Sequence, residues 1–391
     1  MIYFLILIYF LFVAFVFDRV DKKKSNIIYF SQFVTLVLLL TFRFRVGGDS
    51  LFYEDSYRYL YTFQELKKVD IFNQLYQPLW YVINAFTKSI SKEFILFQFV
   101  HGLIVNSVIF YVINRFCEKR FIGLLLYYVL FFIYFNTEIL RESLAIAIFL
   151  ISFPYLTKKK YIHYFVLCFI AFMFHAFALF TFFVPLFFFL LRKPLNVSAI
   201  VILFIVVIFL PGLLIDTLTK IFSFNEFVEK QLKFYTKLEI NVNGIVKGLF
   251  DIIPILILMF LQRRLREEQK YFIPAVNIYF ILVLFSISLA GVARLSNYFA
   301  ILFIISYINT FVLISRNNSL RKYRLTHAIP IVCFLLIGQY FYFARDASKY
   351  NYGNEAYFYH RYYPYNTIFD PVIEIKRENI YRKFMKDEAE K

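Results

Sequence analysis

The feature that most constrains this chain is a series of long apolar runs separated by short polar connections. They fall at about 2–17, 27–42, 94–113, 121–135, 142–156, 161–174, 176–191, 197–214, 245–261, 271–290, 297–315 and 326–343. In hydrocarbon every backbone polar group must find its partner inside the protein, so runs of this kind fold as helices. With 61% hydrophobic residues over 391 positions, too little polar sequence remains for a soluble domain. The expected class is all-α: a polytopic integral membrane protein of about twelve transmembrane helices. Its transmembrane domain spans 1–343, with a partly helical outer loop at 43–93 and a second outer loop at 215–244. An outer tail covers 344–391. The lipid bilayer is its first partner.

Orientation follows from charge, because Lys and Arg in short loops gather on the cytoplasmic side. The connections 18–24, 114–120, 157–160, 192–193, 262–270 and 316–324 hold 20 of the 43 Lys and Arg residues, whereas 136–141 and 291–296 hold one each. Both termini, both long loops and the tail are therefore expected outside. This clustering also accounts for the formal net charge of +17 without a nucleic-acid partner. The stretch 161–191 is too long for one crossing, and only a double crossing keeps the later basic clusters inside. A helical hairpin turning near His175 is expected. Its first limb, about 14 residues at ~1.5 Å each, rises roughly 21 Å against a hydrocarbon core of about 30 Å. His175 and the turn Asn136–Arg141 should then lie below the outer surface, where polar turns survive only by lining a cavity or being buried in protein. The first segment has neither a basic start nor a small-residue cleavage site and is read as a retained span. Cys117, Cys168 and Cys333 show no disulfide or metal-ligand spacing, so no metal site or cofactor is expected.

One polar stretch interrupts the first third of the chain: Arg43-Phe-Arg-Val-Gly-Gly-Asp-Ser-Leu-Phe-Tyr-Glu-Asp-Ser-Tyr-Arg58. Guanidinium forks suit phosphate oxygens, and the pair Gly47-Gly48 is expected to bring backbone amides close to an anion. A solvated loop is the plainer alternative. The outward polar turns add Glu138, Arg141, His175, Arg294, Asn297 and Tyr298 to Arg43, Arg45, Asp49 and Tyr53. Ionisable groups at membrane depth cost roughly 2.5–3.5 kcal/mol each, so they tend to mark sites or pathways. Arg141 begins a helix, where its charge opposes the macrodipole by about 0.3–1 kcal/mol unless an anion is near. Glu142 as counter-ion, or snorkelling to the interface, is the structural alternative. His175 is either a hydrogen-bonded structural residue or a base; His101, His163 and His327 are read as structural. In the tail, the aromatic stretch His360–Phe369, including Tyr365, suits either interfacial packing or stacking on sugars.

Several of these motifs recur together in one order. They are Arg45-x-Gly-x-Asp49-x-x-x-Tyr53, Leu140-Arg141-Glu-Ser-Leu-Ala145, His175 after a short span, Arg294-x-x-Asn-Tyr298-Phe299 and Pro364-Tyr365-Asn-Thr-Ile. In this order they resemble the EpsG-like branch of the Wzy polysaccharide polymerases. The resemblance implies a bacterial inner-membrane glycosyltransferase that polymerises undecaprenyl-diphosphate-linked oligosaccharide units on the periplasmic face into O-antigen or capsule. It implies no nucleotide-sugar donor and no metal, and leaves room for a chain-length regulator as partner. Within that reading Arg43, Arg45, Arg141 and Arg294 face the leaving diphosphate, and either His175 or Asp49 takes the acceptor's proton. Tyr53, Glu138, Asn297, Tyr298 and Tyr365 contact substrate. The rival readings are an O-antigen ligase, a membrane O-acyltransferase and a lipid-linked oligosaccharide flippase or other transporter. Against transport stand the absence of an internal repeat, only 10 glycines and the one-sided placement of polar residues.

Overall fold

Each apolar run is helical over most of its described residues. The structure, a computed structural model, describes residues 2–207, 242–265, 271–287, 289, 291–333, 338, 340, 343–344 and 356–389. The expected outer loop 215–244 lies mostly outside these residues, as do 345–355 of the tail and parts of the runs 197–214 and 326–343. The helices are α1 (Ile2–Phe17), α2 (Asn26–Thr41), α3 (Asp49–Tyr57), α4 (Phe63–Leu66), α5 (Pro78–Ile90) and α6 (Phe94–Phe116). Then come α7 (Arg120–Tyr127), joined through a π-helical turn to α8 (Ile133–Thr137), followed by α9 (Leu140–Thr157), α10 (Tyr161–Phe172) and α11 (Val184–Leu190). The remainder are α12 (Val197–Val207), α13 (Val242–Gln262), α14 (Ile273–Ser286), α15 (Val292–Arg316), α16 (Arg324–Cys333) and α17 (Ile375–Ala389). The loop 43–93 is partly helical, as expected, through α3, α4 and α5.

By length and composition four of the described helices suffice to cross a membrane: Phe94–Phe116, Arg120–Thr137, Leu140–Thr157 and Val292–Arg316. The other apolar helices run 10–17 residues, short of the roughly 20 that a perpendicular crossing takes. The protein is thus an all-helical membrane protein with four helices of spanning length among the described residues. Near His175 the helix breaks where the charge pattern expects it to. The amides of Phe174 and His175 both turn back to the Ala171 carbonyl, and Ala176–Phe183 continues as 3₁₀ helix.

The chain divides into two compact units, residues 1–179 with 339–391, and residues 180–338. The described part of the tail therefore belongs with the N-terminal helices. In this first unit α6 packs on α2 and α9, α10 on α9, and α1 on α7. Bare backbone at Gly102 lets α6 approach Leu40 of α2, where an added Cβ would meet the Leu40 Cδ1 at 3.1 Å. A buried polar ring pins the end of α8: Tyr127 donates to Asn106 Oδ1 (2.8 Å), Asn136 to the Tyr127 hydroxyl (3.0 Å), and Asn106 to Asn136 Oδ1 (3.1 Å). Such closed interhelical bonds fix register between helices that apolar packing alone would let slide. Asp18 accepts from the amides of Phe121 and Ile122, capping α7, while Arg120 binds Asn26, Asn114, Ser25 and the Lys22 carbonyl. In the second unit α14 packs on α13 and α15, with Tyr279 stacked on Phe303 at 4.8 Å and Gln262 donating to Ser306 (2.7 Å).

Candidate functional site

The site is assembled where the tail returns to the loop 43–93. Beyond α2 the backbone of Phe42–Phe44 runs antiparallel to the tail: the Phe44 amide bonds the Asn366 carbonyl (2.9 Å) and the Ile368 amide the Phe42 carbonyl (3.0 Å). Three residues on, the Gly47 amide reaches the Arg361 carbonyl at 2.8 Å. Arg377, buried at 1% exposure, then staples the pieces together. Its guanidinium donates to the carbonyls of Arg45 (2.7 Å), His360 (3.1 Å) and Pro364 (2.5 Å). Beside it the fork of Arg45 takes Glu378 through Nε (2.5 Å) and Nη2 (2.9 Å), and Asp55 through Nη1 (2.8 Å).

A cavity of about 250 Å³ lies among these segments. The first loop and α3 contribute Gly47, Gly48, Asp49, Phe52 and Tyr53, and the residues before α5 contribute Tyr76. Arg141 enters from the start of α9, and the tail adds Arg361, Arg377, Ile380 and Tyr381. Arg141 is held by neutral groups. Its Nε donates to the Tyr53 hydroxyl at 3.1 Å and its guanidinium lies 4.0 Å from the centre of the Tyr76 ring. No salt bridge to it occurs among the described residues, so its charge is directed to the cavity rather than neutralised at its wall. Burial, opposed by Arg141, raises the Tyr53 phenol above its ordinary range, keeping it neutral. Asp49 lines the same space from the first turn of α3, where a carboxylate complements the helix dipole.

Of the expected site residues, Asp49, Tyr53 and Arg141 line this cavity together. The Gly pair does not turn its amides to the cavity: the anion that one of them meets is the protein's own Glu138 carboxylate. The Gly47 amide is bonded to Arg361 and the Gly48 amide to Glu138 at 2.7 Å. Their role is conformational and steric. Gly47 sits at φ +121, and a Cβ on Gly48 would fall 2.4 Å from Glu138 Oε2 and 2.7 Å from Arg361 Nη1. Glu138 is buried behind the wall rather than turned to the cavity: it accepts from Gly48, from Arg361 (3.2 Å) and from the Tyr362 hydroxyl. It positions Arg361, and its own oxygens are taken.

Arg43 is buried outside the cavity lining and donates to the Asn136 carbonyl (2.8 Å), while Arg45 is committed to Glu378 and Asp55. Tyr365 bonds the Leu39 carbonyl at 2.6 Å and meets Tyr3 edge-on. His175 is buried and stacked on Phe177, outside the lining of the cavity. Arg294, Asn297 and Tyr298 are carried by α15 in the second unit, the last two buried. Arg361, Arg377, Tyr76, Ile380 and Tyr381 were not expected from sequence. Arg361 had one signal, its place in the aromatic stretch of the tail; the others are brought in by tertiary folding. Chemically, this lining offers a cation fork aimed at an anion, a carboxylate within the same space, and rings on which a flat apolar face can rest.

No curated protein and no solved structure matches the chain. Residues 26–367 match the EpsG family, a family of polysaccharide polymerase-like proteins, and the match takes in the loop 43–93, Arg141 and the first half of the returning tail. With most of its length covered, this all-helical membrane chain belongs to the EpsG family.

Proposed function

We propose that this protein is a polysaccharide polymerase that transfers a growing glycan from a polyprenyl-diphosphate carrier, such as undecaprenyl diphosphate, to a lipid-linked repeat unit at the outer face of the membrane. The observation that carries this reading is the union of Arg141, Asp49 and Tyr53 in one cavity of a chain from a polysaccharide polymerase-like family.

In the reaction, a hydroxyl oxygen of the incoming unit forms a bond to the anomeric carbon of the nascent chain. The bond from that carbon to the diphosphate oxygen breaks, and the diphosphate leaves with the electron pair. Asp49 accepts the hydroxyl proton, which becomes acidic only as the new bond forms. Of the two bases considered, it is Asp49 that lines the cavity. Negative charge grows on the leaving diphosphate, so a preorganised guanidinium stabilises the transition state more than the ground state. Arg141 fills this role, with Tyr53 and Tyr76 holding its plane. Arg361, fixed by Glu138 and lying against Phe358, adds positive potential at the rim. The basic clusters between the apolar runs support an outer position for this cavity.

Complementation of a deletion strain tests the proposal. Arg141→Ala and Asp49→Asn should reduce surface polysaccharide from long polymer to single repeat units, with lipid-linked units accumulating. Loss of one charge-stabilising donor of this kind typically costs roughly 10²–10³ in rate. Long polymer persisting at wild-type level in both variants would sink the reading, and loss of even single surface units would point to a flippase or a ligase.

A further inference from the structure

The family match ends at residue 367, yet Arg377, Ile380 and Tyr381 of the cavity wall lie beyond it. The matched stretch supplies Asp49, Tyr53 and Arg141, the groups assigned to leaving-group stabilisation and proton transfer. The segment after residue 367 supplies a different kind of surface. Apart from Arg377, which gives three of its five N–H donors to carbonyls, it presents the ring of Tyr381, with Ile380 buried beside it.

This wall is rigid. Ile380 is buried against Ala356 and Phe358. Tyr381 lies one turn after Glu378, which the Arg45 fork grips, and its phenol meets Asp55, the other partner of that fork. An aromatic side chain with two rotatable bonds, already held by its neighbours, contributes contact area at little entropic cost. Sugar rings carry faces made of carbon-bound hydrogens, and such faces rest on apolar and aromatic surfaces. A diphosphate gains nothing from them.

We propose that Tyr381 on α17, backed by the buried Ile380, forms a specificity element that recognises the sugar of the lipid-linked repeat unit, separately from the arginine that meets its diphosphate. The favoured ligand presents an apolar pyranose face, as deoxy and acetamido sugars do. This inference rests on the polymerase reading, and its test separates the two. The full-length protein in nanodiscs is titrated with undecaprenyl diphosphate bearing no sugar, and with lipid-linked repeat units extracted from the host strain. Tyr381→Ala should weaken binding of the sugar-bearing lipid about tenfold and leave undecaprenyl diphosphate within about twofold. Tyr381→Phe, which keeps the ring, should stay within about threefold for both, whereas Arg141→Ala should weaken both. Tyr381→Leu keeps bulk without the ring and carries the same test should Tyr381→Ala not fold. Equal weakening of both lipids by the Ala and Leu variants, or no effect on either, overturns the specificity element while leaving the polymerase reading standing. Wild-type protein that binds neither lipid brings down the polymerase reading and this inference with it.

Discussion

Gly47 illustrates how one residue in the loop 43–93 shapes the site. Its φ of +121 suits glycine, and a Cβ there would lie 2.4 Å from Ser50 Oγ and 2.9 Å from Thr137 Cβ. Gly47→Ala should therefore destabilise the fold by about 1–3 kcal/mol, the usual cost of a strained backbone conformation, and thermal melts in detergent will measure it. Glu54 gives a pH-dependent counterpart. Burial pushes its carboxyl up to about 7, with Asp55 and Glu378 acting in the same direction and Arg45 and Arg43 against it. Since the folded state favours the protonated form, this group's contribution is complete below the ordinary Glu range and is lost as pH rises through about 7. Glu54→Gln, neutral at every pH, should melt higher than wild type at about pH 8 and no higher at about pH 4.5. Identical melting of the two proteins under the alkaline condition would show that Glu54 ionises without penalty. At this scale Arg141 and Asp49, both lining the cavity, stand out in the sequence because a charge at a helix start and a carboxylate after a Gly pair are local signals. Arg45 and Glu138 carry similar signals but are engaged with Glu378, Asp55, Gly48 and Arg361, and most of these partners are too distant in the chain for a local pattern to reveal.

At the scale of elements, α17 decides whether the cavity has a second wall. It is anchored by Arg377 to three carbonyls and by Glu378 to Arg45. Hydrogen bonds from charged donors contribute roughly 1.5–3 kcal/mol each, not additively, so Arg377→Met should release the tail at a cost of about 3 kcal/mol. Limited trypsin digestion checks this: the variant tail should be cleaved several-fold faster than wild type, and Arg377→Lys should recover only part of the protection. A point charge cannot bridge three carbonyls as a planar fork does. Equal cleavage rates would mean that Arg377 does not hold the tail. From sequence this segment is a mixed-charge amphipathic stretch with no legible chemistry. The helices of the apolar runs were legible because hydrophobic period and length are properties of contiguous residues.

For the whole molecule, orientation is the property on which the proposed lipid-linked donor depends. After replacement of Cys117, Cys168 and Cys333, single cysteines at Arg58 and Tyr359 should react with a membrane-impermeant maleimide in intact cells. Cysteines at Glu118 and Lys158 should react only after permeabilisation; the reverse pattern would put the cavity on the cytoplasmic side and remove the carrier-lipid reading. Sequence by itself determined the all-helical membrane class, the partly helical loop 43–93 and the break before Ala176, since each follows from hydrophobic run lengths and from the spacing of charge between the runs. Only the tertiary structure decided that the tail pairs with Phe42–Phe44, that the Gly47-Gly48 amides are already bonded, and that Arg141 shares one cavity with Ile380 and Tyr381. Those contacts join residues up to about 330 positions apart, and pairing over such separations depends on how helices pack, which no contiguous stretch of sequence encodes.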